Sequence, residues 1–138
     1  MKLLSVLFII FFTLAFAYGC KDEPCGADEV SFTSQDICFC VEEKYFYDIS
    51  VSIFLKSQWD KSGTHYGQYE IRLFNKRDTG ASSVSVSLGP SIITTGFQIS
   101  GEYNSITIPR IEKKNSYFFS VTSIGRDFPK IGIRSVTY

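Results

Sequence analysis

From Tyr45 onward, apolar and polar positions alternate with period two. Tyr45, Tyr47, Ile49, Val51, Ile53 and Leu55 fall on one phase, and Phe46, Asp48, Ser50, Ser52, Phe54 and Lys56 on the other. Alternation of that length predicts a long strand with one buried face. Asp60-Lys61-Ser62-Gly63 is a turn signal. A second strand follows, with Tyr69, Ile71 and Leu73 turned to the core and Glu70 and Arg72 turned away. Val84, Val86 and Leu88 alternate with serines up to Gly89-Pro90, and Ile106-Thr107-Ile108 ends at Pro109. Tyr117 to Ile124 is β-branched and aromatic, Gly125 to Pro129 turns, and Lys130 to Tyr138 reads as a last strand. No window carries a helical stripe. Short strands separated by turn residues predict an all-β fold, an antiparallel β-sandwich, with a small barrel as the alternative.

The first residues do not fit this pattern. Lys2 is followed by an apolar run from Leu3 to Phe16, broken by Ser5 and Thr13, and then by small residues at Ala15, Ala17 and Gly19. That is the layout of a secretory signal peptide over 1–19, and the run is short for a bilayer span. The expected mature protein is secreted and free of membrane contact. The remainder divides into a cysteine-containing N-terminal segment, 20–44, and the sandwich, 45–138.

Four cysteines, Cys20, Cys25, Cys38 and Cys40, lie close together near the start. In an exported chain they are expected as disulfides. Cys38 and Cys40 on one extended segment share a face but make poor partners for each other. Each is therefore expected to pair back to Cys20 or Cys25, stapling a small polar cap. Four thiolates on a metal ion is the other reading. The sequence lacks the paired CxxC spacing of such sites, so no metal and no cofactor are expected.

Charge narrows the partners. Lys plus Arg number 14 and Asp plus Glu number 14. Nucleic-acid binding by bulk charge needs a basic surplus that this chain lacks. Catalysis has little to draw on. His65 is the only histidine and sits in a turn. Asp48, Asp60, Glu70, Glu102 and Asp127 qualify as acid–base groups by residue type alone, each among residues typical of a solvated surface. The expectation is a protein without enzymatic activity.

The aromatic content is what stands out, with 13 Phe, 8 Tyr and 1 Trp. Trp59, Tyr66, Phe97, Tyr103 and Phe128 fall beside Gly, Ser, Asn or Asp at turns and strand ends. Rings in such places either anchor a loop to the core or stack on the apolar face of a sugar.

The series Trp59, Gly63, Tyr66, Gln68-Tyr69, Asn75, the Val84/Val86/Leu88 strand and Ile106-Thr107-Ile108-Pro109 resembles carbohydrate-binding module family 49. The resemblance runs from about Phe46 to Tyr138 and is most specific from Trp59 to Asn75. It implies a β-sandwich that binds cellulose or a related β-glucan through surface aromatics, without catalysis. On this resemblance Trp59 is the leading stacking residue. Tyr66 lies near it, and Phe97 stands where the family tends to carry a second Trp. Phe118-Phe119-Ser120-Val121 departs from the family's aromatic-Gly-aromatic, and the cysteine segment is no part of the module. The expected contact set is Trp59, Tyr66, Phe97, Tyr103 and Gln68, with Asn104 as a further polar neighbour. The rival expectation is a secreted adhesion module that uses the same sandwich to hold a protein partner.

Overall fold

The computed structural model describes residues 25–99 and 104–138. The leader, Cys20 and Tyr103 lie outside them. The chain forms β1 (Glu29–Ser34), β2 (Ile37–Glu42), β3 (Ile49–Lys61), β4 (Thr64–Asn75), β5 (Ser83–Leu88), β6 (Ile92–Thr94), β7 (Ser105–Ile108), β8 (Ser116–Ile124) and β9 (Ile131–Thr137). Two sheets result, a five-stranded one in the order β2-β1-β9-β5-β7 and a four-stranded one in the order β3-β4-β8-β6. This is the expected all-β sandwich.

Period-two alternation places the core between the sheets. Ile71 and Leu73 of β4 and Val121 of β8 meet Val84 and Val86 of β5, Ile106 and Ile108 of β7, and Val136 of β9, all fully buried or nearly so. β9 buries Ile133 and Val136, three residues apart, because its register against β5 shifts between Ser85 and Val86. Arg134 is the residue left over at that shift. Its Nη1 donates to the backbone carbonyls of Gly26, Ala27 and Glu29 at 3.2, 2.7 and 3.1 Å.

The cysteine segment is more than a cap. β1 pairs antiparallel with β2 and parallel with β9, through Ser31↔Ser135, Phe32↔Val136 and Thr33↔Thr137, and buries Val30 in the common core. Cys25 and Cys40 are joined, with Cα atoms 5.5 Å apart. Cys38 is also disulfide-bonded. Cys20, the remaining cysteine of the expected pairings, lies outside the described residues.

The strand expected from Tyr45 begins at Ile49 instead. Glu43–Tyr45 forms a single 3-10 turn, closed by the Phe46 amide donating to the Glu43 carbonyl at 3.1 Å. The chain is crossing there from the edge of one sheet to the edge of the other, so Tyr45 and Tyr47 keep the alternation but find no sheet to face and stay exposed.

Candidate functional site

The β3–β4 hairpin determines where the aromatic residues of the middle segment point. Ser62 and Gly63 both take positive φ, 53° and 79°, between Lys61 and Thr64. A two-residue turn with both central residues left-handed matches the natural twist of the strands it joins. It sets the register Trp59↔Tyr66, Ser57↔Gln68 and, further down, Leu55↔Tyr69 and Ile53↔Ile71.

A bulge between Leu55 and Ser57 changes the phase of β3. Ile49, Val51, Ile53 and Leu55 lie opposite Asn75, Leu73, Ile71 and Tyr69, the core-facing residues of β4. Beyond the extra residue, Lys56, it is Ser57 and Trp59 that lie opposite the outward residues Gln68 and Tyr66. A one-residue insertion carries every later side chain to the other face. Without it, Trp59 would continue the core phase. With it, the indole stands on the outer face of the four-stranded sheet, with 40% of its surface open.

That face is built in rows running across the strands. Trp59, Tyr66 and Ile124 are register partners on β3, β4 and β8. The Trp59 and Tyr66 rings stack, with centroids 5.7 Å apart and planes 11° from parallel. The next row is Ser57, Gln68, Thr122 and Ile93. Ser57 Oγ donates to Gln68 Oε1 at 3.4 Å. Phe54, Glu70 and Ser120 follow, then Ser52, Arg72 and Phe118, then Ser50, Phe74 and Ser116. Phe54, Ile93 and Phe118 are about half exposed. No described element packs on this face.

The other side of the hairpin carries a second pair of rings, and there Phe128 and Leu55 are also exposed. The Tyr69 ring lies over Gly67, where an added Cβ would come within 2.8 Å of Tyr69 Cε2. Phe128 meets Tyr69 edge-on with ring centroids 5.6 Å apart.

No family model matches the sequence, and no curated protein matches it. Two solved structures are similar in shape. They are a GH20 exo β-N-acetylglucosaminidase from Vibrio harveyi with N-acetylglucosamine, at a TM-score of 0.43, and an inactive mutant of the same enzyme, at 0.41. Each is 12% identical and aligns with 66% of this chain but 18% of its own. The chain thus spans less than a fifth of the enzyme's length.

The structure brings Trp59, Tyr66 and Gln68 together on one open face. Phe97 is not with them. It is part-buried and meets Phe119 edge-on at 5.8 Å, on the core side of the same sheet. Asn104 takes a left-handed turn before β7, in the opposite sheet, and its carbonyl accepts from the Leu88 amide. Ile124, Phe54, Phe118 and Arg72 join the face without having been anticipated. Their strand periodicity was visible, but the pairing of β8 with β4 that puts them there was not.

The acidic residues weighed for catalysis are mostly paired. Asp60 accepts from His65 Nδ1 at 2.9 Å, with Arg126 Nη2 3.8 Å away. Glu70 pairs with Lys56 at 3.5 Å and Asp48 with Arg77 at 3.7 Å. Asp127 is exposed, and Glu102 lies outside the described residues. Among the described residues no three potential ligands cluster to hold a metal ion.

Proposed function

We propose that the protein is a secreted, non-catalytic carbohydrate-binding protein that takes cellulose or a related β-glucan on the outer face of the four-stranded sheet. The observation that carries this reading is the stacked Trp59–Tyr66 pair on a face that no described element covers. Flat rings with open surface accept the apolar side of a pyranose at little cost in rotamer entropy. Gln68, one row along, offers amide hydrogens to sugar hydroxyls, and Ser57 and Thr122 offer hydroxyls of their own. Shape and stacking, rather than charge, would make this contact.

The test is co-sedimentation with microcrystalline cellulose. The wild type should sediment, Trp59→Ala should sediment markedly less, and salt should change little because the contact is uncharged. Equal sedimentation of the two proteins removes Trp59 from the site. A second reading, an adhesion module for a protein partner, is favoured by Ile93 and Ile124, aliphatic residues on the same face that do not stack on sugars. Failure on all polysaccharides, together with a protein ligand lost on Ile93→Ser, would select it.

A further inference from the structure

The end of the open face away from Trp59 has a different chemistry. Arg72 lies six residues beyond Tyr66 on β4, about 20 Å along the strand at ~3.4 Å per residue. Its guanidinium carbon sits 5.2 Å over the Phe74 ring. Its Nε donates to Ser116 Oγ at 2.8 Å, which fixes the plane of the group. Its cross-strand neighbours are Ser52 and Phe118, a hydroxyl and a ring that is 54% exposed.

No carboxylate of the described residues balances it. Among the described residues the only acidic one on this face is Glu70, and Lys56 holds it at 3.5 Å. Among the described residues Arg72 makes no ion pair. Among the described residues Lys56, Lys61 and Arg72 therefore stand against one carboxylate on a single face, in a chain whose formal charges sum to zero. A guanidinium whose Nε is already engaged keeps its two terminal nitrogens as a planar fork. That fork matches a carboxylate bidentately, as a lysine ammonium does not. The flanking rings keep water from one side of it and strengthen the charge contact.

We propose that this end of the sheet is an anionic subsite, in which Arg72 takes the carboxylate of a uronic-acid unit. The ligand is then an acidic β-glucan laid lengthwise along β4, with another of its sugar units on Trp59. This inference rests on the glycan-binding reading and names the class of glycan.

The experiment compares two insoluble polymers with one backbone, cellulose and cellulose oxidised to the carboxylate at C6, using the mature chain. At low salt the oxidised polymer should bind about fivefold more tightly, the gain of one charge-assisted contact. At ~1 M salt, where the screening length falls to about 3 Å, the preference should shrink. Arg72→Gln should abolish the preference. Lys130→Gln, which removes the same charge before β9 in the other sheet, should keep it. Arg72→Lys retains the charge without the fork and should give a smaller preference than the wild type. It serves also if Arg72→Gln does not fold.

Equal binding of the two polymers, or a preference undiminished in the Arg72 variants, overturns the anionic subsite. If that happens while Trp59→Ala still weakens binding, the glycan reading stands without it. Capture of neither polymer overturns both.

Discussion

Trp59→Ala separates what the indole does for a ligand from what it does for the fold. A tryptophan carries about 250 Å² of surface. With 40% of Trp59 open, roughly 100 Å² is free for a sugar to cover. At ~25 cal/mol per Å² that area is worth about 2.5 kcal/mol, a change of roughly sixtyfold in Kd. The figure is a ceiling, because ordering the ligand and the side chain takes part of it back. The fold loses something too. The covered 60%, roughly 150 Å², is worth at most about 4 kcal/mol by the same measure, and the stacked contact with Tyr66 adds about 0.5–1.5 kcal/mol. Binding by the folded fraction of the variant should drop by more than tenfold. Depletion isotherms on cellulose give the first quantity and urea unfolding the second. Trp59→Phe should fall between, since it keeps a ring of smaller area. If Trp59→Ala stays folded and its Kd lies within about threefold of wild type, the open indole surface is not where the glycan rests.

Other perturbations reach the scaffold. Asn75 is fully buried and its Nδ2 donates to the carbonyls of Thr79, Ile111 and Glu112, while its Oδ1 accepts from the Arg77 amide. Asn75→Ala leaves those groups unpaired and should cost about 2–4 kcal/mol in urea unfolding; a loss under ~1 kcal/mol would show that water replaces the amide. Cys25 and Cys40 are separated by 15 residues, so removing their disulfide by the double serine variant should cost about 3 kcal/mol. An unchanged unfolding midpoint would mean that the N-terminal hairpin does not unfold together with the sandwich. Burial and the nearby Asp48 push the Tyr138 phenol up to about 12, above its ordinary value of 10.0. The folded state therefore holds this proton after the unfolded chain has released it, and stability should fall as pH rises from about 10 through about 12. Tyr138→Phe should lack that portion of the alkaline loss, and identical alkaline profiles for the two proteins would refute the assignment.

The sandwich was legible wherever one face of a strand is buried and the other wet. Ile49 to Ile53, Tyr69 to Leu73 and Val84 to Val86 read correctly because the two-residue period reports burial, whereas Leu55 keeps the core phase and is half exposed. β1 and β2 escaped notice because only Val30 there is deeply buried, and cysteines and hydroxyl residues hide the alternation. β6, three residues long, has too little sequence to show a period. The site was legible in composition and illegible in placement. A straight count from Ile49 puts Trp59 on the core side, and only the extra residue at Lys56 turns it out. Phe97 and Trp59 look alike as aromatics near turn residues, yet one meets Phe119 against the core and the other meets solvent. Arg72 and Phe118 read as ordinary outward residues until β8 pairs with β4 across more than forty residues of chain.

The parallel seam between β1 and β9 has a mechanical side. Parallel neighbours point their opposite ends away from each other, so tension applied between the start of β1 and the end of β9 slides one strand past the other. The pairs Ser31↔Ser135, Phe32↔Val136 and Thr33↔Thr137 then bear the load at the same moment and do not peel apart in turn. Pulled between those two points, the domain resists as a clamp does, and the Cys25–Cys40 bond limits how far the first hairpin can pay out once the seam gives way.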